Sequence, residues 1–86
     1  MENKISVISI IAENTEASSA INSLLHEFGQ YIVGRMGIPY REKNLSIICI
    51  VLDAPSDITS ALSGKLGMIK GVSTKTVTTK QTSRKG

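Results

Sequence analysis

Aromatic residues are nearly missing from this chain of 86 residues, which has no Trp, one Phe and two Tyr, so its core must be aliphatic. There is a single cysteine, Cys49. That excludes an intramolecular disulfide framework and any zinc site built from several thiolates. One histidine and two aspartates do not readily furnish a catalytic triad or a metal site within one subunit. No apolar run is long enough to span a bilayer. The N-terminal Met1-Glu2-Asn3-Lys4 lacks the basic start and small-residue cleavage site of a signal peptide. These absences lead to the expectation of a soluble, cytoplasmic, non-enzymatic chain with no catalytic residues, no metal, no cofactor and no membrane contact.

What is present is ordinary globular composition, 41% hydrophobic and 20% charged, in a 9.2 kDa chain that allows one small domain. A domain of this size buries roughly 60% of the surface its unfolded form exposes, so a single core is feasible but marginal. The net charge of +3 is unevenly placed. Lys75, Lys80, Arg84 and Lys85 fall in the last twelve residues without an acid, and the preceding 74 residues hold six basic and seven acidic side chains. Residues 1–80 are read as the domain and 81–86 as a basic tail. Such a tail is either a solvated terminus or a non-specific phosphate contact. Without interleaved aromatics the latter would give only weak, salt-sensitive nucleic-acid binding.

Hydrophobic periodicity supplies the elements. Lys4 to Ala12 (KISVISIIA) is Ile- and Val-rich and predicts a strand. Asn14 and Thr15 offer capping side chains, and Ala17, Ala20, Ile21, Leu24, Leu25 and Phe28 then form one apolar helical stripe, with Gly29 as its stop. Gln30 to Tyr40 is extended but interrupted by Gly34, Gly37 and Pro39, which fits a bulged or edge strand. Leu45 to Asp53 (LSIICIVLD) is a second regular strand. Pro55 and Ser56 open a second helix that buries Ile58, Ala61, Leu62 and Leu66, and Val72 to Lys80 is a polar, β-branched edge strand. The order strand–helix–strand–strand–helix–strand predicts an α+β, ferredoxin-like βαββαβ fold, a four-stranded antiparallel sheet with two helices on one face.

A sheet covered on one face should have strands that alternate apolar and polar. The inner strands do not: Ile47, Ile48, Cys49, Ile50, Val51 and Leu52 are consecutive, and the first strand has Ile5, Val7 and Ile11 on one side with Ile8, Ile10 and Ala12 on the other. A bare apolar sheet face is a large exposed patch that something should cover. A second copy is the economical cover, which predicts a homodimer or homotetramer assembled through the sheet face and edge strands.

The side chains with chemistry to offer are few. His26 falls opposite the apolar stripe and reads as a surface residue, while Cys49 reads as a small buried hydrophobe. Ser63-Gly64-Lys65-Leu66-Gly67 lacks both the leading Gly of a phosphate loop, since position 59 is Thr, and the Ser or Thr after the lysine. The informative stretch is Val33 to Lys43. There Gly34 and Gly37 permit close approach, Arg35, Arg41 and Lys43 offer donors, and Tyr40 adds a phenol. It reads either as a twisted edge strand with solubilising charges or as a small anionic-ligand site formed by Gly34, Arg35, Gly37, Tyr40 and Arg41 and completed by a neighbouring subunit.

The run YIVGRMGIPYREKNLSIICIVLD, preceded by LHEFG and followed by ALSGKLGMIKGVSTK, resembles the family of regulators of the iron-only hydrogenase system. The resemblance implies a ferredoxin-like domain akin to ACT domains and to the regulatory domain of nickel-responsive repressors, in oligomers, with a role in transcriptional or metabolic regulation. It carries over no metal site. Those repressors hold metal with several histidines and a cysteine, whereas the second strand here offers Arg35 and Met36. It also brings no helix-turn-helix or ribbon-helix-helix segment. The functional expectation is therefore a non-enzymatic, oligomeric ACT-like module that senses a small ligand. The alternatives are a structural interaction domain, or weak nucleic-acid binding through the tail.

Overall fold

The computed structural model describes residues 2–79; the basic tail expected over 81–86, and the expected strand end at Lys80, lie outside the described residues. The elements are β1 (Lys4–Ala12), α1 (Glu16–Glu27), β2 (Ile32–Tyr40), β3 (Leu45–Ala54), α2 (Ser56–Gly67) and β4 (Val72–Thr78). One-turn 3-10 helices precede and follow β2 at Gly29–Tyr31 and Arg41–Lys43. The strands form one sheet in the order β2-β3-β1-β4, with every neighbouring pair antiparallel. This is the βαββαβ arrangement expected.

The pleat decides which residues reach the helices, because alternate side chains point to opposite faces. In β1 the even positions Ser6, Ile8, Ile10 and Ala12 are buried, and across the register their partners Leu52, Ile50 and Ile48 in β3 are buried with them. Over this layer α1 lays Ala17, Ile21, Leu25 and, just past its end, Phe28, while α2 lays Thr59, Leu62 and Leu66. The apolar stripes are narrower than periodicity alone indicates. Ala20 and Ala61, expected inside, are exposed. In α1 the buried line follows the i, i+4 ridge through Ala17, Ile21 and Leu25, and Ala20 falls on its flank.

The helix ends also differ in detail. Asn14, not Thr15, supplies the cap: the Ala17 N–H donates to Asn14 Oδ1 at 2.8 Å, and the Thr15 side chain makes no capping bond. Gly29 starts a 3-10 turn instead of a left-handed stop, which moves the start of β2 to Ile32. β2 is the bulged edge strand anticipated, with the irregularity between Ile32 and Gly34.

The β1–α1 and α2–β4 connections are tied together. The Glu13 N–H donates to the Gly71 carbonyl at 2.8 Å, and the Asn14 amide reaches the Lys70 carbonyl at 3.5 Å. Gly71 has φ +82°, and a Cβ at this position would run into the Asn14 side-chain nitrogen. We therefore expect Gly71→Ala to cost about 1–3 kcal/mol in urea unfolding, from left-handed backbone strain and displacement of the cap; unchanged stability would contradict this account. Thr59, 4% exposed, has a hydroxyl with no hydrogen-bond partner among the described residues. Thr59→Val removes that desolvated group at nearly constant volume, so its unfolding free energy should match or exceed the parent's, by up to about 1 kcal/mol in urea unfolding.

Candidate functional site in the cleft between α1 and β2

Arg35 stands opposite Ile50 in the register, which puts its side chain on the helix-covered side of the sheet. On the edge strand it has α1 beside it, and its Nη2 donates to Asn22 Oδ1 at 3.0 Å. Asn22 belongs to a polar line on α1, with Ser18 and His26 one turn to either side. Gly37 follows on the same side of β2, opposite Ile48, and no heavy atom lies within 4 Å of where its Cβ would be.

A cleft of about 240 Å3 results, lined by Ser18, Asn22, Arg35, Gly37, Pro39 and Ser46 together with Ile38, Ile47 and Ile48. Beyond Arg35 a broader hollow of about 590 Å3 continues between Asn22, His26, Gly29 and Ile32. The guanidinium is permanently charged and has five N–H donors, of which the Asn22 bond uses one. Among the described residues no carboxylate lies within ion-pairing distance of it; the ion pair present joins Lys65 to Glu27 at 3.7 Å, with the Lys65 ammonium also 5.5 Å from the Phe28 ring centre. A cationic fork beside neutral amide and hydroxyl groups suits a planar oxyanion.

The other site residues expected from the sequence are not all brought together. Arg35 and Gly37 line the cleft. Gly34 pairs with Val51 and Tyr40 with Leu45, positions on the opposite, open face, and the Tyr40 hydroxyl donates to Glu42 Oε1 at 3.0 Å. Arg41 begins the turn after β2, and six residues of strand put it roughly 20 Å along the chain from Arg35. Asn22 and Ser18 were the unanticipated contributors. Their signal was the polar i, i+4 line flanking the apolar stripe of α1, with His26 as its third member.

Ser63–Gly67 lies within α2, and Thr76 Oγ1 donates to Ser63 Oγ at 3.1 Å across an uncharged groove that Thr59 and Thr78 also line. Among the described residues no three His, Cys, Asp or Glu side chains are grouped to hold a metal ion, and no helix is long and apolar enough to cross a membrane.

The strand order and the placement of both helices define an ACT-like ferredoxin fold. The ACT domain of GTP pyrophosphokinase from Chlorobium tepidum superposes with a TM-score of 0.75 at 15% identity, over 87% of this chain and 99% of that one. The C-terminal domain of the MgtC protein from Mycobacterium tuberculosis gives 0.68 at 11% identity, over 98% of this chain and 96% of that one. Much nearer in sequence is the uncharacterized protein TM1266 from Thermotoga maritima, 42% identical, with a TM-score of 0.88 over 92% of this chain and all of that one. The profile of the TM1266-like family, described as regulators of the iron-only hydrogenase system, matches residues 4–76, and the chain belongs to that family. No curated protein matches the sequence. Family and fold together support a regulatory role.

The open space over Gly37 gives a direct check. Gly37→Ala should keep or raise stability by about 0.4–1 kcal/mol, because the new methyl meets nothing while the unfolded chain loses freedom. A loss above that size in thermal unfolding would mean that the cleft is closed at this point.

Proposed function

We propose that this protein is a non-enzymatic regulatory module that senses a small anionic molecule in the α1–β2 cleft. The observation that carries this reading is the Arg35 guanidinium, bonded to Asn22 and facing a cleft in which, among the described residues, no carboxylate neutralises it. Arg35 is the primary anchor, with Asn22, Ser18 and Ser46 as neutral partners around it. The chemistry favours binding over catalysis. Apart from Arg35 the titratable group along the cleft and adjoining hollow is His26, exposed and, among the described residues, without a hydrogen bond to a hydroxyl or a carboxylate.

A ligand at Arg35 would compete with the Arg35–Asn22 hydrogen bond, which joins α1 to the edge strand. Binding would therefore act on the seating of α1 against the sheet. It would shift an equilibrium only as far as its affinity differs between the two arrangements.

Calorimetric titration of the full chain with carboxylates, amino acids and nucleotides tests the reading. At least one should bind, and Arg35→Ala should weaken it by about tenfold or more while leaving the unfolding midpoint nearly unchanged, as for a charged hydrogen bond worth about 1.5–3 kcal/mol. Absence of heat with every member of the panel, or binding indifferent to Arg35→Ala, would refute it.

A further inference from the structure

The face of the sheet turned away from the helices has no cover within the described residues. Its side chains are the odd positions of β1 (Ile5, Val7, Ser9, Ile11), Ile47, Cys49 and Val51 of β3, Met36 and Ile38 of β2, and Val77 of β4. Ile11 is 41%, Ile38 52%, Met36 61% and Val77 66% exposed, values at odds with aliphatic side chains on a finished surface.

We propose that this face is an interface with a second copy of the chain, the two sheets stacking face to face about a two-fold axis. Three observations point to a copy of itself. Strands of seven to ten residues and four strands across give roughly 500 Å2 of flat footprint per copy, so a pair removes about 1,000 Å2 or more, the size from which specific interfaces begin. The middle of the face, Val7, Ser9, Ile11, Ile47, Cys49 and Val51, has no charge, and its charged side chains are Asp53 at the end of β3 and Lys75 on edge strand β4. One acid and one base at the margin give a rim without net charge, so like meets like without repulsion. Small side chains at Ser9 and Cys49, 3.8 Å apart, leave the centre flat enough for aliphatic neighbours to interdigitate, as sheets do when they stack with their strands about 30° apart.

The β2 edge serves this purpose less well. β2 is bulged, contains Pro39 and has glycines at 34 and 37, which weakens it as a template for strand addition. The proposed interface lies on the opposite side of the sheet from Arg35, so it stands independently of the ligand reading.

Sedimentation of the full chain across a dilution series should give twice the 9.2 kDa subunit mass at the upper end. Ile11→Lys and Met36→Glu, each placing a charge in the interface, should raise the dissociation constant at least about tenfold, whereas Ser23→Lys on the exposed side of α1 should not. A second readout needs no variant. Cys49 lies half-buried in this face, so its alkylation by iodoacetamide should slow as protein concentration rises and the dimer fills. A single-subunit mass throughout, or a dimer whose Cys49 reacts at a concentration-independent rate, would overturn the proposal, as would a dimer untouched by both interface charges.

Discussion

Two inner strands that are apolar on both sides constrain everything else in this molecule. β1 pairs with β3 along its whole length, from Lys4 opposite Ala54 to Ala12 opposite Ser46, and both strands present aliphatic side chains to both faces of the sheet. Two helices of twelve residues each are enough to cover one face. The core forms there, with Ile8, Ile10, Ile50, Leu52, Ile21, Leu62 and Leu66 fully sealed. The same strands leave Ile5, Val7, Ile11, Ile47 and Val51 on the second face, so the folded subunit keeps a surface whose composition is that of an interior.

Edge position explains where the proposed ligand site lies. A charged side chain on β1 or β3 would have to be buried under the helices or set in the apolar open face. On β2, at the margin of the sheet, Arg35 keeps its stem against the sheet and its guanidinium in a cleft that reaches solvent. The bulge after Ile32 and the glycines at 34 and 37 open that margin further. The proposed ligand site and the proposed interface thus divide along the pleat: Arg35 and Gly37 lie on one side, Met36 and Ile38 on the other, from consecutive residues of a single strand.

The architecture was largely legible from residues alone, because the Ile- and Val-rich runs, the helical stripe ending at Phe28 and the Pro55-Ser56 start are each strong local signals. Which alternate set of β1 and β3 faces the helices was not legible. Both sets are aliphatic, and only the tertiary packing of Ile21, Leu25, Leu62 and Leu66 selects the even one. The candidate site was half legible. A cluster of Gly34, Arg35, Gly37, Tyr40 and Arg41 is contiguous in sequence, but an extended strand sends neighbours to opposite faces and separates distant ones. Tyr40 turns to Glu42 on the open side, and Arg35 finds its partner on α1 at Asn22, a contact between residues 13 apart that only the fold creates.

The account stands on the helix-free sheet face being an interior surface of an assembled protein. Isotope-filtered NMR on a mixture of labelled and unlabelled chains tests this most directly, since it reads contacts between copies methyl by methyl. The account predicts intermolecular contacts among the methyl groups of Val7, Ile11, Ile47 and Val51, and none from Ile21 or Leu62 in the covered core. Intermolecular contacts confined to the outer sides of α1 and α2, or none at any concentration at which the chain stays folded, would contradict it.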